Sequence, residues 1–466
     1  MKDLTTFMVR FVSGVPRLAR NMHRIERKKL KEVVVMKKLL VIMVMLAVVF
    51  SAPVFAGGQQ EEAEGDGQEM AKAIEVLHWW TSGGEAAALN VLKEKVEAEG
   101  IQWVDTPVAG GSGVQAMTVL RSRVTAGNPP AAVQMLGYDI LDWAELDVVA
   151  NLNELAEEEN WDAVIPDAIK KFSKYDGKWI AAPVNVHSEN WVWANQKICD
   201  DLGIELPITT WEGYVDALQK VQDSGKVALA HGGQPWQTGT IFESVVLGVG
   251  GPEFYEKTMN VPMDQDALKS DQMLEAFKRM ETLRGFVDEN FSGRDWNLAS
   301  AMVIKGQAAF QMMGDFAKGE FLRADMVPGE DFFGFRTPGT KGSVTFNADQ
   351  FVMFEKESQG KKNAQKVLAK NVMDPEFQVS FNVVKGSVPA RTDVPDDEFT
   401  IIGKEAMKDL DQANKNGTLF GSLAHGHGGP SAIKEAVFDV VSAHFNGQYT
   451  AEEAVEALAE AVAAAE

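Results

Sequence analysis

Cysteine is almost missing from this chain: Cys199 stands alone among 466 residues. One thiol excludes an internal disulfide framework and a Cys-based zinc cluster. No neighbour of Cys199 would activate it, so it reads as an inert buried group. Cations are scarce too, 45 Lys and Arg against 67 Asp and Glu. The first 56 residues hold 11 of those cations and 3 of the acids, which leaves the rest of the chain at a net charge of −30. Nucleic-acid binding needs clustered cations, so that partner is excluded. An acidic exterior suits a protein kept soluble outside the cell. The apolar run Leu39 to Phe50 falls short of a ~20-residue membrane span, and Pro53 follows it.

That run instead reads as the centre of a secretory signal, Met36 to Ala56. Lys37 and Lys38 supply the charged start, and Val54-Phe55-Ala56 a cleavage site of small residues. No cysteine lies there to carry a lipid, so the exported chain is expected to begin near Gly57. Residues 1–35 are basic, lack a core pattern and are expected to precede the true start at Met36. Residues 57–73, rich in Gly, Glu and Gln, read as a flexible acidic linker.

The informative stretch comes next: Glu75 to Glu85, EVLHWWTSGGE. A short apolar strand runs into two tryptophans, a Gly turn and an acid at the start of a helix that ends near Gly100. The carboxyl end of a strand in an open α/β sheet is where ligands bind. Two indoles, several hydroxyls and a carboxylate there suit a polyhydroxylated ligand. The competing reading is that Trp79 and Trp80 are core; neighbours on a strand point to opposite faces, so at most one would serve a given core side.

Further strands are expected at 101–108 and 131–136, around a helix at 114–126 opened by Gly110-Gly111-Ser112-Gly113. This is the βαβ rhythm of a parallel sheet. No Lys-Ser/Thr pair follows the glycines, so they are not a P-loop and read as a tight turn near the cleft. A helix is expected at 162–172, a turn at 175–178 and a strand at 179–184. Helices are expected at 242–247, 273–287 and 299–305, with Asp295-Trp296-Asn297 in a loop before the last. Trp191 and Trp193 share a strand face, the pattern of core for at least one of them. The His425-Gly-His427 pair could hold a metal, but no third ligand accompanies it, and no metal or cofactor is expected.

EVLHWWTSGGE, with Ala230 to Trp236 (AHGGQPW) and Lys385 to Arg391 (KGSVPAR), resembles the periplasmic glucose/mannose-binding proteins of bacterial sugar ABC transporters, which are type II extracellular solute-binding proteins. The resemblance runs from about Ile74 to the end. It implies an α/β, two-lobed periplasmic-binding-protein type II fold with a hinge between the lobes. The expected division is residues 74–184 in lobe 1, 185–344 in lobe 2, 345–395 returning to lobe 1, and 396–466 as C-terminal helices mostly on lobe 2. It also implies a site. Trp79, Trp80, Trp296 and Phe316 would wall a sugar ring; Glu85, Gln134, Asp349, Lys385 and His425 would bond its hydroxyls. Relatives commonly show Trp where Phe316 stands, and a polar residue where Leu136 stands.

The expected function is capture of a monosaccharide (glucose, mannose or another hexose) in the periplasm by a monomer. Delivery would be to an ABC transporter permease in the inner membrane. Two alternatives stay open. A secreted carbohydrate-acting enzyme would use a carboxylate pair such as Glu85 and Asp349. A sensor would present the sugar to a membrane receptor.

Overall fold

The computed structural model describes residues 73–356 and 358–466. The signal segment and most of the acidic linker lie outside the described residues. The first α/β body is built on a five-stranded sheet in the order β2-β1-β3-β13-β6. Its strands are β1 (Ala73–His78), β2 (Gln102–Pro107), β3 (Ala132–Leu136), β6 (Ala181–Pro183) and β13 (Asp349–Met353). β1 is parallel to β2 and β3, whereas β13 runs antiparallel to β3 and β6. Ile74, Val76, Leu77, Ala132, Val133, Phe351 and Val352 are buried in it, as the interior strands of a helix-covered sheet require. Helix α1 (Gly83–Ala98) follows β1.

A small antiparallel pair, β4 (Lys174–Tyr175) and β5 (Lys178–Trp179), turns through Asp176 and Gly177, both at positive φ. The helix expected over 162–172 is interrupted: Trp161–Val164 and Asp167–Ser173 are separate. Pro166 explains the break, since it has no N–H to donate and disfavours helix in the residue before it. The strand expected over 179–184 is likewise two pieces, β5 and β6.

The second body carries a sheet in the order β11-β8-β10-β9: β8 (Trp191–Asn195), β9 (Val227–Leu229), β10 (Ala308–Met312) and β11 (Phe332–Arg336). Trp191 and Trp193 are both core, stacked at 5.5 Å between ring centres. Helix α2 (Pro235–Met259) is far longer than the 242–247 segment expected, and it kinks at Gly251-Pro252. The glycines of VLGVGG hide it from a helical pattern, and Pro235 begins it where a missing N–H costs nothing. Trp296 is not in a loop; it is the first residue of helix α3 (Trp296–Ile304), with Asp295 ahead of it. Helix α4 (Ala317–Arg323) follows β10. Cys199 is buried in this core, where burial pushes its thiol up to about 12.

A third sheet joins the bodies, in the order β14-β7-β12-β15. It contains β7 (Asn185–Ser188), β12 (Val344–Asn347), β14 (Val388–Pro389) and β15 (Leu419–Gly421). The chain leaves the first body through β7 and returns through β12. After helix α5 (Pro375–Lys385) and β14 it passes over again through helix Ile401–Asn416 and β15. Helix α6 (Ser431–Phe445) then packs on α2, and the last helix, Ala451–Ala465, packs on α6. β15 supplies the strand end expected just ahead of His425, within a stretch otherwise expected to be helical.

Candidate functional site

The ends of β1, β3, β13, α2, α3 and α5 meet around a small cavity. Trp79 and Trp80 both line it. The expected alternation of faces does not apply to them, because β1 ends at His78 and the two indoles belong to the turn beyond. Trp80 leans on Phe351 and Phe381 of the core behind. Ser82 caps α1 and Glu85 completes the capping box, its Oε2 accepting from Ser82 N at 3.2 Å. The other oxygen, Oε1, faces Lys385 Nζ at 3.9 Å. Burial raises the Glu85 carboxyl, and Lys385 and the Ser82 cap oppose that shift.

Asp349 opens β13 and is held on both oxygens. Gln134 Nε2 donates to Oδ1 at 2.7 Å, and Asn185 Nδ2 donates to Oδ2 at 2.9 Å. His187 Nε2 lies 3.3 Å from Oδ2. Burial works against the charge, yet His187, Lys385 and Gln134 together hold the carboxyl down to about 2. His187 also bonds Asp315 through Nδ1 at 2.5 Å. Lys385, the last residue of α5, is buried with its Nζ 3.2 Å from His187 Nε2 and 5.3 Å from the centre of the Phe316 ring. Gly386 ends α5 at φ 86°, and a Cβ there would stand 2.7 Å from Gly319 N, so the KGS turn requires glycine.

The second body contributes an aromatic wall. Trp296 meets Phe316 edge-on at 4.9 Å, and Trp236 stands 5.7 Å from the His425 ring. Trp236 was expected only as part of a motif, not as a wall; its position at the start of α2 puts it over the cavity. A Cβ on Gly111 would lie 2.3 Å from the Trp236 ring, so the indole packs directly on the Gly110–Gly113 turn of the opposite body. Ser112 Oγ donates to Ala424 O at 3.0 Å, Gly84 N to Glu320 Oε1 at 2.8 Å, and Tyr138 N to Gly426 O at 2.8 Å. These bonds join the two bodies around the cavity.

Of the nine residues expected at the site, Trp79, Trp80, Glu85, Trp296, Phe316, Asp349, Lys385 and His425 line the cavity. Gln134 does not. It is fully buried behind the wall, its amide oxygen accepting from Trp79 N at 3.2 Å while its nitrogen holds Asp349. Its amide links Trp79 to Asp349. Gly111, Ser112, Leu136, His187, Trp236 and Asn347 complete the lining. His427 points elsewhere: it lies against Phe172 and Phe346 and accepts from Ala348 N at 3.3 Å. The HxH pair is thus split between a cavity residue and a core residue.

Residues 80–370 match the family model described as bacterial extracellular solute-binding protein. A probable sugar-binding periplasmic protein of Rhizobium meliloti is 60% identical over 395 residues, covering 85% of this chain and 94% of that one. Among solved structures, a chitin oligosaccharide binding protein superposes with a TM-score of 0.72 at 21% identity, over 85% of this chain and 99% of the other. The bacterial solute receptor AcbH, described as having an exclusive preference for β-D-galactopyranose, superposes with a TM-score of 0.70 at 16% identity, over 84% and 97%.

Proposed function

This chain belongs to the bacterial extracellular solute-binding proteins, and we propose that it is a periplasmic receptor that hands one hexose, glucose or mannose, to an ABC permease. It is a binding protein, not an enzyme; ligand is held and released with no bond made or broken. The observation that carries the monosaccharide reading is the cavity. It is small and walled by four indoles and Phe316, with Glu85, Asp349, Lys385 and His425 among its polar groups. Apolar ring faces cover the C–H side of a pyranose, and charged groups bond its hydroxyls at about 1.5–3 kcal/mol each. Closure of two lobes about a hinge would then mark the loaded receptor for the permease.

The location rests on the relatives' periplasmic naming and on the secretory pattern before Gly57. Titration calorimetry against glucose, mannose, galactose, xylose, maltose and a chitin disaccharide tests the ligand class. Tight binding of a single hexose is the expected result. Binding of a disaccharide with no affinity for any hexose overturns it.

A further inference from the structure

Glu243 lies inside α2, buried, one layer behind His425. It is a carboxylate that neither the cavity wall nor the core needs, yet its bonds are specific. Ser422 Oγ donates to Glu243 Oε1 at 2.6 Å. Ala424 N donates to Oε2 at 3.1 Å, and Tyr255 OH to Oε2 at 3.3 Å. Ser422 Oγ in turn lies 3.0 Å from His425 Nδ1 and accepts from His425 N at 3.2 Å.

The roles in this chain follow by counting. A hydroxyl has one proton to give and two lone pairs to offer. While the Glu243 carboxylate is charged it can only accept, so the Ser422 proton is committed to it and the contact with His425 Nδ1 must run the other way, with Nδ1–H donating. Burial lowers the His425 imidazole well below its ordinary value, so the ring is neutral and carries a single proton. With that proton on Nδ1, Nε2 is left as a lone pair. The atom facing Nε2, at 3.6 Å, is Glu189 Oε2, beyond hydrogen-bond distance. Glu189 Oε1 is occupied by Asn347 Nδ2. Among the described residues no group therefore bonds Nε2, and His425 lines the cavity.

We propose that Glu243 and Ser422 are positioning residues that fix the tautomer of His425, so that Nε2 meets the ligand as a hydrogen-bond acceptor and selects a sugar hydroxyl able to donate. The ligand half of this statement rests on the sugar reading above; the tautomer half does not. A hydroxyl at that point gives its proton to His425, and fluorine, which accepts only, cannot replace it. The neighbouring Asp349 carboxylate is an acceptor as well, so a ring bound between them is read chiefly as a donor on that side.

The test begins with no ligand and no substitution. In the full exported chain labelled with nitrogen-15, the His425 ring is assigned by the signal lost in His425→Gln. Spectra are taken about two pH units above the value near 7 to which burial pushes Glu243, so that its carboxylate is charged. A pyrrole-type Nδ1 and a pyridine-type Nε2 are expected. The reverse pattern in the wild-type protein overturns the proposal. Ser422→Ala and Glu243→Gln should each release the ring to the other tautomer or a mixture; an unchanged pattern in both folded variants also overturns it. Calorimetry then compares the bound hexose with its monofluoro analogues, one position at a time. One position is expected to lose about tenfold or more, as for a lost charged-site bond. Even tolerance of fluorine at every position overturns the acceptor role. Absence of binding by any hexose instead removes the sugar reading, while the nitrogen-15 pattern still reports on the tautomer.

Discussion

On one side of the cavity, Glu85, Asp349 and Lys385 stand in a lattice of bonds and charge contacts with Gln134, Asn185 and His187. On the other, Trp296 and Trp236 both pack against Phe316, and the three hold no charge. The charged wall belongs to the first body and leans on β13, α1 and α5. The aromatic wall belongs to the second and begins α2, α3 and α4. The difference separates two tasks. Fixed acceptors and donors read hydroxyl stereochemistry, because a misplaced hydroxyl leaves a buried partner unpaired. Ring faces gain area from any pyranose and are nearly blind to epimers. Specificity should therefore reside on one wall and general affinity on the other.

The strongest test of that division is Asp349. Asp349→Ala strips a partner from Gln134, Asn185 and His187 at once, besides the ligand. Binding should fall more than about a hundredfold, and discrimination among glucose, galactose and mannose should flatten. Stability should drop by about 3–5 kcal/mol, the usual cost of breaking a buried charged network. Asp349→Asn separates charge from shape, since its amide keeps one acceptor and adds a donor. The pH dependence has a definite sign. A carboxyl held down to about 2 contributes stability above its ordinary ~3.9 and loses it as pH falls through that interval. Melts in acid should show roughly 2 kcal/mol more loss for wild type than for Asp349→Asn between those values. Unchanged sugar binding in a folded Asp349→Ala would break the comparison outright.

Trp296→Ala probes the opposite wall and should do less. Removing one ring face should weaken several hexoses alike, by about tenfold, with their ranking kept. Trp79→Ala sharpens the comparison, because Trp79 is an aromatic on the charged side whose backbone N–H, kept in the variant, still bonds Gln134 beside Asp349, so the loss reports the ring alone. Should Trp296→Ala reorder the epimers, the aromatic wall would be reading stereochemistry too.

Much of the charged wall was legible before the structure, because its residues sit in short contiguous patterns. WWTSGGE places two indoles and an acid within seven residues, and the capping box explains that acid locally. What the sequence hides is pairing across distance. Gln134 reads as a polar residue inside a strand; that it faces Asp349, 215 residues away, depends on β13 entering the sheet beside β3. The aromatic wall was half legible for a different reason. Trp236 lies at the start of a helix whose glycines erase its period, so nothing local says which way the indole points. Glu243 was invisible: a lone acid in an apolar helix carries no sign of the loop it anchors. The strands of the joining sheet, two to four residues each, are too short to alternate.

The mildest expected effect lies where the two walls touch each other and not the ligand. Glu320, on α4, accepts Gly84 N from the first turn of α1, and it does not line the cavity. Glu320→Ala removes one bond that exists only when the bodies are together. A single such bond is worth about 1 kcal/mol, so the closed population should fall and every hexose should bind roughly fivefold more weakly. The weakening should appear as faster release, since the encounter with the open cleft is unaltered. Because closure is common to all ligands, the ratios among glucose, galactose and mannose should stay as in wild type. Stopped-flow release rates and calorimetry on the same three sugars measure both quantities. A changed ratio would mean that contacts between the bodies also shape the cavity, and that closure and recognition are not separate tasks.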